Sequence, residues 1–179
     1  MYSSTATDER FEPISMDTIL VPMPSHPDYA RDVATAVTEI ESTDAVETVV
    51  LHVFDDDEIE STRSNLDLRP HEVVSIDDLA ARKAGVAATV TELEAAGIET
   101  RAHGIRADGE PGGAIVTAAE REGTDRIYLF SRKRSPTGKA VFGSTVQRVL
   151  LNASCPVVVL PSGATDRKVD VSEPVDANV

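Results

Sequence analysis

The sequence has no tryptophan, and aromatic residues fill only 4% of its 179 positions. An interior built without them must come from Val, Ile, Leu and Ala, and the hydrophobic fraction of 41% is ordinary for a globular chain. Cys155 is the single cysteine, so no disulfide can form within the chain and a secreted setting gains no support. Basic residues are scarce: 17 Lys and Arg stand against 31 Asp and Glu, for a formal net charge of -14. A general nucleic-acid binder needs a basic face to neutralise phosphates, and this balance weighs against one. The acid excess favours solubility and discourages binding to anionic surfaces. It is also what a salt-loving, halophilic cytoplasm selects, because high ionic strength screens the self-repulsion. No apolar run approaches the length of a membrane span. The polar stretch 1–13 has no apolar h-region and does not read as a signal peptide. The expected location is cytoplasmic.

What is present is a regular alternation of elements. Short, mostly β-branched runs at 18–23, 48–54, 98–105, 125–130 and 156–161 read as buried strands. Between them lie segments of helical periodicity. Ala30, Val33, Ala34, Val37 and Ile40 mark one face of a helix over about 27–42. Leu79, Val86, Val90 and Leu93 mark a single long helix opened by Ser75 and Asp78 and stopped by Gly97. Ile115, Ala118 and Ala119 mark a third helix, which Gly123 ends, and Val146, Val149 and Leu150 a fourth over about 144–153. The polar stretch 55–75 reads as a surface loop or mobile insertion. The pattern predicts one α/β domain over 16–161, flanked by a flexible segment 1–15 and a disordered acidic tail 162–179. Strands that are apolar on both faces and separated by helices predict a five-stranded parallel sheet with helices on both faces. Ligands of such sheets sit beyond the carboxyl ends of the strands, where the strand order reverses.

Charge points to the same edge. Twelve acids and two bases fall between residues 41 and 78, whereas residues 131–165 hold no acid but carry Arg132, Lys133, Arg134, Lys139 and Arg148. This acid-free segment follows the fourth strand and runs into Gly143, Ser144 and Thr145 at a helix start, where free N–H groups and the positive end of the dipole favour an anion. Two readings fit: a phosphate site, or a solvated basic loop that attracts the acidic remainder of the molecule or a partner.

Other constellations are weaker. His26, His52, His71 and His103 have no zinc-type spacing, and one cysteine makes no thiolate cluster. His52 lies inside a strand, where a satisfied structural role is the commoner one, and His26 sits at a strand end near the expected site. Cys155 reads as a small packing residue. The run Asp55-Asp56-Asp57-Glu58 lacks EF-hand spacing and reads as a solvated acidic loop. Gly138-Lys139 is followed by Ala140, so no Walker motif is formed, and no nucleophile elbow is present. No metal site and no assigned enzyme activity follows from these residues.

The opening Ile19-Leu20-Val21-Pro22, the second strand Leu51-His52-Val53, the turn with Gly109, Pro111 and Ile115, and the closing Gly143-Ser144 and Cys155-Pro156-Val157-Val158-Val159 resemble the universal stress protein family over about 16–161. The resemblance implies a doubly wound α/β sheet, a homodimer, a stress-response or signalling role and, in one branch, ATP or another adenine nucleotide as ligand. It implies that the backbone near Met23 and Val53, beside Pro22, faces an adenine and that Gly143-Ser144 meets the phosphates; the charge and helix-start reading adds Ser131, Arg132, Lys133 and Thr145 as expected ligand contacts. The ATP-binding branch carries Gly, two residues, Gly, nine residues, Gly, then Ser or Thr. Here Phe130 and Lys133 stand at the first two glycine positions, and Pro24 stands where that branch has an Asp after the first strand. Arg132, Lys133, Arg134 and Lys139 could hold phosphate oxygens by charge instead. The alternative is a dimeric interaction module that binds no nucleotide. The apolar run Val157, Val158, Val159 and Leu160, if at a sheet edge, would be closed by pairing with a second copy.

Overall fold

Five apolar runs line up as one parallel sheet in the computed structural model, which describes residues 16–65, 73–131 and 142–161. The strands are β1 (Asp17–Pro22), β2 (Val46–Phe54), β3 (Glu99–Arg106), β4 (Arg126–Ser131) and β5 (Val157–Pro161), in the order β3-β2-β1-β4-β5. Every neighbouring pair is parallel. The chain winds outward from β1 to β3, then returns to β1's other side for β4 and β5. The direction therefore reverses between β1 and β4, and a crevice opens beyond the carboxyl ends of the strands there.

Side chains alternate across the sheet with period two, and both faces are covered. On one face Ile19, Val21 and Val50 pack with Val33 and Val37 of α1 (Ala30–Ile40) and with Val86 and Leu93 of α4 (Ala84–Ala95). On the other, Leu20, Val49 and Leu129 pack with Ile115 and Ala118 of α5 (Pro111–Arg121) and with Val146 and Val149 of α6 (Ser144–Asn152). Removing each of the larger aliphatic side chains from water contributes about 2 kcal/mol. The expected doubly wound sheet is thus formed. The helix stops at Gly97 and Gly123 occur where the sequence places them, both glycines in the left-handed region.

Several details differ from expectation. Part of the stretch read as a loop is a helix, α2 (Asp56–Asn65). It has little apolar periodicity and is held by its ends: Asp55 Oδ1 accepts from the Glu58 N–H at 2.7 Å, three acids occupy the first turn and Arg63 the last. The single long helix is two, α3 (Ile76–Ala81) and α4, broken at Arg82 and Lys83. Ser75 and Asp78 do form the reciprocal cap, but of the short α3. Ile40 and Leu150 are exposed rather than inward. Ile40 is the last residue of α1, where the chain leaves in extended conformation at Glu41. Leu150 follows buried Val149 and falls off the inner stripe of α6.

The two sheet edges are treated differently. At β3 the edge-facing N–H of Gly104 donates to Asp77 Oδ1 at 2.8 Å, so α3 occupies the middle of that edge. A Cβ on Gly104 would lie 2.3 Å from the Ile76 carbonyl oxygen, and only glycine permits the approach. β5 ends the sheet on the other side. No helix among the described residues is long and apolar enough to cross a membrane. Residues 1–15, His71, the basic loop with Arg132, Lys133, Arg134 and Lys139, and the tail 162–179 lie outside the described residues.

Candidate functional site

A cavity of about 510 Å³ opens at the carboxyl ends of β1, β2 and β4, at the point where the winding reverses. Pro22, Met23 and Pro24 line it from the end of β1, Leu51, His52 and Val53 from β2, and Leu129, Phe130 and Ser131 from β4. Pro111 and Ile115 of α5 and Phe142, Gly143, Thr145 and Val146 at the start of α6 line the other side. Tyr29, from the 3-10 turn Pro27–Tyr29 before α1, completes the wall and stacks on Phe130 with ring centroids 3.9 Å apart. None of the described lining residues is Asp, Glu, Lys or Arg.

Backbone direction makes Val53 special. Leu51 directs its carbonyl towards β1 and accepts from the Met23 N–H at 2.8 Å, while Phe54 directs its carbonyl towards β3 and accepts from the Ala107 N–H at 2.9 Å. Val53 shares the parity of Leu51, but β1 pairs no further than Pro22 opposite Leu51. The Val53 N–H and C=O therefore point past the end of β1 at the cavity and have no hydrogen-bond partner among the described residues. A planar heterocycle with adjacent donor and acceptor could complete this interrupted ladder. Met23 does not offer the same, contrary to expectation. Its N–H is used by Leu51, and its carbonyl lies 3.0 Å from His52 Nδ1.

The rim beside Met23 is tied down by ion pairs. Ser25 Oγ, His52 Nε2 and Lys83 Nζ all converge on Glu58 Oε1, at 2.9, 3.1 and 2.6 Å. Burial pushes the Glu58 carboxyl up, but the hydrogen bonds from Lys83, Ser25 and His52 outweigh it and hold the group below the usual glutamate value. His52, buried in its strand, is thus the satisfied structural residue that the sequence suggests, although its ring also faces the cavity.

Two helix starts meet the cavity, and the described residues cap only one of them. At α5 the Glu110 carboxylate accepts from the Gly112 and Gly113 N–H groups at 2.9 and 3.3 Å, so the chain supplies its own anion. At α6 the cap residue is Gly143, and among the described residues no side chain caps the first N–H groups.

Of the expected contacts, Pro22, Met23, Val53, Ser131, Gly143 and Thr145 come together around the cavity. Ser144 is exposed at the start of α6 and does not line it. Arg132 and Lys133 lie outside the described residues. His26 is exposed and away from the wall. Cys155 packs against the α5–α6 face, and burial, with Asp125 nearby, pushes its thiol up. The acidic run after β2 is spent on ion pairs, Glu58 with Lys83 and Asp56 with Arg106. No cluster of metal-ligating residues occurs among the described residues. Tyr29 and Phe142 are lining residues that sequence reasoning did not single out. Phe130 drew notice only as a missing glycine, although an aromatic in so aromatic-poor a chain was a signal.

The family model described as the universal stress protein family matches residues 16–161. No curated protein matches the chain. Among solved structures, a universal stress protein from Archaeoglobus fulgidus is 26% identical, with a TM-score of 0.54, 80% of this chain and 97% of that one being covered. One from the same organism in complex with dAMP is 20% identical (TM-score 0.52, 82% and 98% covered). A family protein from Arabidopsis thaliana with AMP bound is 14% identical (TM-score 0.53, 86% and 97% covered).

Proposed function

Since the chain belongs to the universal stress protein family, we propose that it is a cytoplasmic stress-response domain that binds an adenine nucleotide in the cavity at the strand ends. The observation that carries this reading is the unpaired Val53 backbone facing the cavity. An adenine edge would pair with Val53, the ribose would pass over the end of β1, and phosphate would meet the open start of α6 at Gly143 and Thr145. Relatives of the same fold were solved with dAMP and AMP, which supports the class of ligand.

Calorimetric titration with AMP, ADP and ATP, together with mass spectrometry of small molecules released from protein purified in high salt, tests it. The Val53→Pro variant removes one N–H that no strand uses, so the fold keeps its ladder while affinity falls about tenfold. Absence of heat with every nucleotide at millimolar concentration would leave the alternative, an interaction module without nucleotide.

A second reading concerns assembly. β5 is a sheet edge, and Val157, Val158 and Val159 are only half buried there. Pairing of this strand with that of a second copy would cover both, giving a homodimer. Light scattering at micromolar concentration should return twice the chain mass, and a monomer would remove the idea.

A further inference from the structure

We infer that His52 carries a proton on both ring nitrogens and serves as a proton-operated latch on the cavity rim, so that ligand binding weakens when one of these protons is lost. The latch rests on the nucleotide reading above for its ligand, whereas the proton count follows from geometry. His52 Nδ1 lies 3.0 Å from the Met23 carbonyl oxygen, and His52 Nε2 lies 3.1 Å from Glu58 Oε1. A carbonyl and a carboxylate only accept, and a neutral imidazole has one N–H to give. One tautomer sets a lone pair against Met23, the other against Glu58. The imidazolium alone donates to both. The ring is buried, so solvent gives little relief to a mismatched lone pair.

The surroundings support the charge. Burial raises the Glu58 carboxyl, but the hydrogen bonds from Lys83, Ser25 and His52 keep it below its ordinary value, so it is an anion at neutral pH. The groups that face the ring are the Met23 carbonyl after β1, Glu58 from α2 and the Phe54 ring of β2, with Lys83 beyond Glu58. Among these, Lys83 opposes a second cation, yet its Nζ lies 2.6 Å from the same Oε1. The Lys83 ammonium also rests over the Phe54 ring, 5.1 Å from its centroid, and that ring meets His52 edge-on.

Position couples the latch to the cavity. Met23 and His52 both line it, and Val53, whose backbone is the expected partner of the base, follows His52 directly. Loss of one proton turns one of the two contacts repulsive and cuts the tie between Met23 and α2. Ser25 stays docked, its carbonyl accepting from the Gly85 N–H at 3.1 Å and its hydroxyl donating to Glu58 at 2.9 Å. The change is therefore centred on the rim at Met23. His52 is on this argument a positioning residue whose influence is set by pH.

Nitrogen NMR on the full chain reads the proton count: at neutral pH both ring nitrogens of His52 should be protonated, their signals assigned by loss in His52→Gln. Calorimetry with adenosine and AMP across about pH 5 to 9 reads the coupling. Adenosine has no phosphate to titrate, so its affinity isolates the latch. It should fall about tenfold as His52 loses its proton, and binding above that pH should take up a proton, seen by comparing buffers of different ionisation heat. His52→Gln should bind adenosine at the weaker level at every pH. Glu58→Gln removes the counter-charge and should move the His52 titration to lower pH, a result that stays decisive should His52→Gln fail to fold. A single protonated nitrogen at neutral pH, or an adenosine affinity that stays flat while His52 titrates in either the native chain or Glu58→Gln, would overturn the inference and keep the nucleotide reading. No binding of either ligand at any pH would overturn both.

Discussion

The two ends of the sheet handle polar groups in opposite ways. At the amino ends, Arg126 donates to both carboxylate oxygens of Glu41 at 2.8 Å and to Asp17 at 2.9 Å, and the Tyr128 hydroxyl donates to the same Glu41 at 2.5 Å. Thr18 adds its N–H to Asp125 and its hydroxyl to Glu47. The Glu41 carboxylate holds Arg126 charged beyond the usual guanidinium range despite burial, while burial and Glu41 together push the Tyr128 hydroxyl up. At the carboxyl ends the described charges stay behind the rim, and among the described residues the cavity keeps an unpaired strand segment and an uncapped helix start. The lesson is that one sheet carries a dense ion-pair network at its amino ends and, at the other, a strand whose Val53 backbone is left unpaired among the described residues.

That division can be broken deliberately. The largest effect should come from Glu41→Ala. It leaves the Arg126 guanidinium with Asp17 alone and the buried Tyr128 hydroxyl without its acceptor, at a cost of about 2 kcal/mol by denaturant unfolding. AMP affinity measured on the folded variant should not change, and a loss would show that the two ends are not independent. A smaller loss, about 1 kcal/mol at neutral pH, is expected for Glu58→Gln, which weakens three hydrogen bonds behind the rim. Because the folded state holds the Glu58 carboxyl below its ordinary value of 4.5, its contribution is complete above that pH and is lost as pH falls through the folded value. Acid unfolding curves of the two proteins should therefore converge below pH 4.5, and parallel curves would remove the claim. This variant, unlike the first, should also weaken AMP, because Ser25 and His52 hold the chain on either side of Met23.

Legibility followed burial. β1, β2 and β4 are buried runs, and β5 a half-buried one, that period and composition make plain, and their order and chain direction fixed the edge where a ligand would lie. α2 was not legible, because apart from buried Thr62 and the packed Ile59 it is held by capping and charge rather than by an apolar stripe. The break between α3 and α4 was hidden for a related reason: Leu79 and Val86 stay in helical phase across Arg82 and Lys83, while the contact made at the new helix start is tertiary, the Gly85 N–H donating to the Ser25 carbonyl at 3.1 Å. In the site, Pro22, Val53, Gly143 and Thr145 were legible through the strand ends and the family pattern. Tyr29 was not, since its role depends on meeting Phe130 from 101 residues away in the chain, and spacing carries no sign of that.

The unequal sheet edges have a consequence for how large an assembly can become. Asp77 holds the outward N–H of Gly104, and the close seat of Ile76 leaves a newcomer strand no place along the middle of β3. Strand addition at the middle of β3 is therefore blocked. Two copies joined edge to edge at β5 would present a blocked β3 at each outer limit, and the joined sheet would be capped at both ends. A growing fibre needs two sticky ends per subunit; a subunit that paired through β5 would offer one, and such pairing would terminate at the first step.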